Sequence, residues 1–207
     1  MNTFTYLALG DSYTIGEAVA ADQSFPAQLA SKLEAEFNQS CRKLKIIAKT
    51  GWTTDELQKG IQRAKPGSGY DLVTLLIGVN NQYRSYGQDQ YKKEFNELLN
   101  QAISFASGNQ SKVIVVTIPD YGCTPFGAEM AEKIYSDLIW YNQTATDIAG
   151  SSGVEVVDIF AISRRAKSEP ELIASDNLHP SAEMYTLWAD EILPLAARIL
   201  EEANPTE

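Results

Sequence analysis

His179 is the only histidine in the 207 residues, so a side chain that exchanges a proton near neutrality has one obvious position here. It stands three residues after Asp176 and immediately before Pro180. A carboxylate one turn away can reach Nδ1 of the ring, fix the tautomer with Nε2 free, and stabilise the imidazolium formed during a reaction. The same string also suits a turn capped by Asp176 with an ordinary surface histidine beside it. Ser12, in Gly10-Asp11-Ser12-Tyr13, brings a hydroxyl that is a weak nucleophile until a base takes its proton. On its own, serine in such a string is common turn chemistry. Gly51 through its backbone N–H and Asn80 through its side-chain amide can donate to an oxyanion, where losing one donor costs about 3 kcal/mol of transition-state stabilisation. Each of these two alone also reads as a turn residue. Taken together, the residues supply a nucleophile, an acid–base pair and two donors, the set that acyl transfer requires.

The elements that would position them follow from the hydrophobic pattern. Short apolar, β-branched runs at Phe4–Leu9, Leu44–Ala48, Leu72–Ile77, Val113–Ile118 and Val154–Val157 alternate with amphipathic stretches at Gln23–Phe37, Thr54–Ala64, Gln88–Ala106, Met130–Ala149 and Ala182–Glu201. That alternation predicts a parallel sheet with crossover helices. Runs as uniformly apolar as Leu72-Val73-Thr74-Leu75-Leu76-Ile77 suit strands covered on both faces, giving a three-layer α/β/α domain. Ligands of such sheets bind beyond the carboxyl ends of the strands. Ser12, Gly51 and Asn80 each follow a predicted strand, and the long connection after the fifth ends in Asp176-Asn177-Leu178-His179.

In this order and context the sequence resembles the SGNH, or GDSL-type, serine hydrolases. Gly10-Asp11-Ser12 is similar to the first motif block of that family, Gly51 within Thr50-Gly51-Trp52-Thr53 to the second, Gly78-Val79-Asn80-Asn81 to the third, and Asp176-Asn177-Leu178-His179 to the fifth. The resemblance spans Gly10 to His179. It implies an α/β fold with a five-stranded parallel sheet in the flavodoxin-like order 2-1-3-4-5. It further implies Ser12 as nucleophile, Asp176 and His179 as its partners, and an oxyanion hole of Ser12, Gly51 and Asn80. Two departures stand out: Asn81 occupies the place of the usual Asp, with an effect expected on loop stability, and Tyr13 stands where the family's nickname has Leu, placing a phenol beside the nucleophile. Members of the family cleave short-chain acyl esters, lysophospholipids and acetylated sugars, and the resemblance chooses none of them. The reading is therefore a carboxylic ester hydrolase working through an acyl-enzyme, with an acetyl esterase of carbohydrates as the alternative.

Composition bounds the rest. One domain over 1–207 is expected, with 203–207 as a frayed tail. A net charge of −10 disfavours nucleic acid and anionic membranes as partners and favours a small neutral or partly cationic ester. Only Cys41 and Cys123 are present; both are expected as free thiols, Cys41 just before one strand and Cys123 after another, at opposite edges of the sheet. No metal or cofactor is expected, because one His and two separated Cys make a poor ligand set. The amino end has no basic region, and Tyr6-Leu7-Ala8-Leu9 is too short for a signal or a membrane helix. As written the chain is expected in the cytoplasm, or outside the cell if a signal preceded it. Two other classes stay open at this stage. A flavodoxin-like nucleotide or flavin binder is disfavoured by Asp11 in the first loop and by the lack of a Gly-x-Gly-x-x-Gly string. A non-catalytic carbohydrate- or lipid-binding module of the same fold is the other. Short connections, apart from Asp158–Ser175, predict an open cleft without a large lid. Tyr13, Trp52, Tyr83, Tyr86, Tyr121 and Phe126 are the aromatic residues expected near it, as an acyl pocket or as ordinary loop packing.

Overall fold

The computed structural model describes residues 2–203. Five parallel strands, β1 (Asn2–Gly10), β2 (Gln39–Ala48), β3 (Leu72–Leu76), β4 (Val113–Val116) and β5 (Glu155–Val157), form one sheet in the order 2-1-3-4-5. The long helices are α2 (Phe25–Phe37), α3 (Thr54–Ala64), α5 (Gln88–Phe105), α6 (Ala131–Ser151) and α8 (Ala182–Ala203). Three short helices, α1 (Ser12–Ile15), α4 (Val79–Tyr83) and α7 (Phe160–Ser163), start at or soon after the carboxyl ends of β1, β3 and β5. No helix among the described residues is long and apolar enough to cross a membrane.

Right-handed crossovers dictate the layering. The chain moves from β1 outward to β2 and then returns to add β3, β4 and β5 on the other side of β1. Helix α2 therefore packs on one face with α8, while α3, α5 and α6 cover the other. Strand β3 is buried along its whole length, and Leu7, Ala8 and Leu9 of β1 are buried beside it. The reversal of direction at β1 and β3 opens a crevice at their carboxyl ends, where Ser12 and Asn80 follow.

Several boundaries differ from the pattern-based ones. β2 begins five residues before Leu44, so Cys41 lies inside the strand, paired opposite Phe4, and not ahead of it. A nearly continuous polar run, Gln39-Ser40-Cys41-Arg42-Lys43, hides this half of the strand, as suits an edge strand whose outer side meets water. Cys123 follows β4, the neighbour of the edge strand β5, so it does not mark the opposite edge. The three short helices fall where the pattern gives only connections, since a single turn has no periodicity to detect. Of the expected frayed tail, Ala203 is the last residue of α8, and 204–207 lie outside the described residues.

Under the crevice, Trp188 of α8 is fully buried, edge-on to Tyr185 at 5.1 Å and to Tyr13 at 6.1 Å, with Phe25 of α2 at 6.4 Å. It joins the helical layer to the residue after the candidate nucleophile. Trp188→Ala is expected to cost about 3–5 kcal/mol of stability, read from urea unfolding; a loss below about 1 kcal/mol would mean that the site collapses without a cavity.

Candidate active site

Gly10 ends β1 where a side chain has no room: a Cβ there would collide with the Leu76 carbonyl oxygen and with Thr14 Oγ1. This close approach lets the chain turn at once into α1. Asp11 caps that helix, accepting a hydrogen bond from Tyr13 N–H at 3.1 Å. Ser12 is thereby fixed on the first residue of a helix at the crevice. Its neighbour Tyr13 is buried and meets the His179 ring edge-on at 5.8 Å, so the phenol seats the imidazole.

The loop carrying Asp176 and His179 is closed on itself. Ala174 N–H donates to His179 O at 2.8 Å, and Ile173 bridges Pro180 in antiparallel fashion. Within it, Asp176 Oδ1 accepts from the N–H groups of Leu178 and His179, and Oδ2 lies 2.6 Å from His179 Nδ1. Burial alone would raise the Asp176 carboxyl. The hydrogen bonds from the His179 ring and from the two N–H groups outweigh it and hold the carboxyl below its ordinary range. With Nδ1 engaged, Nε2 is the ring nitrogen left for a substrate or a serine. Phe126 N–H also donates to Asn177 O at 3.1 Å, tying this loop to the one after β4.

The second and third loops are tied to each other three times. Asn80 Nδ2 donates to Trp52 O at 3.0 Å, Arg84 Nη2 donates to Gly51 O at 2.6 Å, and Asn81 grips Thr54. Gly51 adopts φ +82°, a conformation that favours glycine. One of the two amide hydrogens of Asn80 is engaged with Trp52, which leaves the other free to donate.

Ser12, Asn80 and His179 line one cavity of 130 Å³, with Tyr13, Val79, Tyr83, Tyr121, Phe126 and Leu178 as its walls. The structure thus brings together residues from both ends of the chain. The hydrogen bonds of the described residues do not include one between Ser12 Oγ and His179, although both line the cavity. Catalytic hydrogen bonds commonly tighten only when substrate is bound. Of the expected aromatic residues, Tyr13, Tyr83, Tyr121 and Phe126 reach the cavity, whereas Trp52 packs its ring over Gly60 and Tyr86 lies away from it. Gly51 is also absent from the cavity wall, and its carbonyl oxygen accepts from Arg84.

A larger cavity, 650 Å³, opens on the other side of the loop after β4, lined by Asp120, Cys123, Tyr135, Arg164 and Lys167 among others. Its only thiol is a poor nucleophile: burial and then the Asp120 carboxylate push Cys123 up to about 11. Among the described residues no group of three or more His, Cys, Asp or Glu stands ready to hold a metal ion.

Two features were not legible beforehand. Asn81 is buried, accepts from Thr54 N–H at 3.0 Å and donates to Thr54 Oγ1 at 2.7 Å, while that hydroxyl gives its proton to Glu94. An aspartate could not donate here, so the amide in place of the usual acid matches a hydroxyl already committed to Glu94. Asp11 is fully buried, and its Oδ2 has no partner among the described residues. Burial pushes its carboxyl up to about 7, against the opposing hydrogen bond from Tyr13 N–H.

A family model described as the GDSL-like lipase/acylhydrolase family matches residues 8–187. Similar solved structures include TesA (16% identity, TM-score 0.74, 95% of this chain and 99% of that one). The lipase/acylhydrolase from Enterococcus faecalis is another (19%, 0.70, 96% of each chain). A third is an acetylxylan esterase from Geobacillus stearothermophilus (20%, 0.69, 93% and 94%). At these identities the likeness is one of fold. No curated protein matches the sequence.

Asn81→Asp is expected to destabilise the protein by about 1–3 kcal/mol at neutral pH, because the introduced carboxylate cannot donate to Thr54 Oγ1. Adding Glu94→Gln is expected to restore part of that loss, since Thr54 Oγ1 can then turn its proton to the carboxylate at position 81. Urea midpoints of the single and double variants measure it; additive losses would contradict the shared hydroxyl. For Asp11, the folded carboxyl keeps its proton up to about 7 while the unfolded one releases it near 3.8. Its stabilising share is complete below the lower value and is lost as pH rises through the upper one. Asp11→Asn cannot ionise, so its stability relative to wild type is expected to rise by on the order of 3 kcal/mol between about pH 4 and pH 8. A constant difference in thermal midpoint across that range would show that Asp11 is not buried as the charge-free acid.

Proposed function

Because the chain belongs to the GDSL-like lipase/acylhydrolase family, we propose that it is a hydrolase of carboxylic esters with short acyl chains, working through an acyl-enzyme on Ser12. One observation carries the reading: the His179 ring, oriented by Asp176 at 2.6 Å, faces the same cavity as Ser12 and Asn80. In this reading His179 Nε2 takes the Ser12 proton as Oγ attacks the acyl carbon. Asp176 stabilises the imidazolium, and the ring then gives the proton to the leaving alcohol. Water repeats the sequence on the acyl-enzyme. The developing oxyanion is met by the free amide hydrogen of Asn80 and by the N–H groups of Ser12 and Gly51. The Arg84 contact is to the Gly51 carbonyl oxygen and does not engage its N–H.

The cavity's 130 Å³ favours small acyl groups, and the acetylxylan esterase among the similar structures makes acetylated carbohydrate the second substrate class to assay. A fluorophosphonate probe is expected to label wild type and not Ser12→Ala. His179→Ala and Asp176→Asn are expected to lower kcat by roughly 10³–10⁴-fold. Absence of labelling in folded wild type would favour a binding module instead.

A further inference from the structure

The 650 Å³ cavity lies between the loop after β4, the start of α6 and the segment 164–173, and none of its lining residues reaches the cavity of Ser12. Its volume is that of a small-molecule site and far exceeds what a lone ion would fill. In a chain whose net charge is −10, two cations line it, Arg164 and Lys167. The neighbouring Arg165 is spent on Glu169 at 2.6 Å, whereas Lys167 has no ion pair or hydrogen bond among the described residues. Both Arg164 and Lys167 pull the Cys123 thiol down, against the larger push of burial and Asp120, so their fields overlap inside the cavity.

Arg164 is fixed from two directions. Its Nη1 donates to the buried Asp120 carboxylate at 2.5 Å, and its guanidinium lies 4.4 Å from the centre of the Tyr135 ring. Stacking of this kind covers the face of the guanidinium and leaves its edge open. Nε and Nη2 have no partner among the described residues. Together they form the side-on edge whose parallel N–H bonds match the two oxygens of a carboxylate. A donor pair already immobilised loses little freedom when a ligand arrives. Two acids stand on the same wall. Asp120 is spent on three donors, accepting from Gly122 N–H at 3.0 Å and Cys123 Sγ at 3.4 Å as well as from Arg164. Glu132 is exposed in the first turn of α6 and opposes an anion weakly, since water screens it. Pro125, Ala128, Pro170 and Ile173 give the rest of the wall an apolar surface.

We propose that this cavity is a second binding site, for a small organic carboxylate whose oxygens meet the free edge of Arg164 beside Lys167 and whose apolar part lies against Pro125 and Ile173. A neutral molecule would leave both cations unanswered, and an inorganic anion would leave the apolar wall bare. The site stands on these residues alone, whatever the role of Ser12.

Calorimetry of the full chain at constant ionic strength tests it, with hexanoate as the probe and hexanol and inorganic phosphate as comparisons. Hexanoate is expected to bind with a Kd on the order of a millimolar, within reach of so small a ligand. Arg164→Lys keeps a cation beside the buried Asp120 but removes the planar fork, and is expected to weaken hexanoate at least about fivefold. Lys167→Gln, at an exposed position, is expected to weaken it about two- to fivefold. Glu132→Gln removes the one opposing charge that no donor meets and is expected to tighten binding about twofold, a gain that a damaged fold cannot imitate. Hexanoate binding that ignores all three substitutions would put the ligand elsewhere, the cavity of Ser12 included, and would overturn the site. Hexanol bound as tightly as hexanoate, or phosphate bound more tightly, would overturn the carboxylate assignment. No saturable binding of hexanoate up to about 20 mM would remove the proposal altogether.

Discussion

The arrangement depends above all on the 2.6 Å contact between Asp176 and His179 Nδ1. A lone imidazole can turn over and present either nitrogen, and only a fixed partner on one side makes the other a directed base. Here the partner is itself immobilised, since Asp176 also accepts from two N–H groups of its own loop. The loop is in turn closed by the Ala174–His179 backbone bond and braced by Phe126. Tyr13 completes the seat from below. Every one of these contacts would be idle if the loop were not delivered to the carboxyl end of β1, and that delivery is the work of α8 packing on α2.

The donors opposite the histidine are placed by polar ties between loops, not by apolar packing. Asn80, Asn81 and Arg84 each reach across to the segment from Gly51 to Thr54, so two loops behave as one body. Such ties are worth little singly in water but matter where the groups are buried, because an unmade bond leaves a desolvated atom without a partner. The Asn81–Thr54–Glu94 chain shows how one such tie constrains residue identity, since each hydroxyl has a single proton to give.

Beneath Ser12 the balance runs the other way. Asp11 Oδ2, Thr14 Oγ1, Tyr185 Oη and Trp188 Nε1 are buried without partners among the described residues, and an acid kept neutral there costs less than a carboxylate would. Stability is given up at the place where the chain must turn sharply to bring Ser12 to the cavity wall, a pattern common at functional sites.

Much of this was written in the sequence. Strand and helix order follow from local periodicity, and the handedness of crossovers converts that order into a sheet with its crevice at β1 and β3, so the edge on which Ser12, Asn80 and His179 meet was legible. Short range also suffices for Asp176 and His179, because three residues span one turn. Long-range contacts were not legible, because they depend on distances between segments that no local pattern encodes. Only the packed structure turned the Trp52 ring onto Gly60, tied the Gly51 carbonyl to Arg84, and gave Asn81 its hydroxyl partner. It alone left Tyr83, Phe126 and Met130 bare beside the cavity. The sequence determined which chemical groups arrive at this edge; tertiary packing decided which of them face the open space, because side-chain direction is fixed by neighbours distant in the chain.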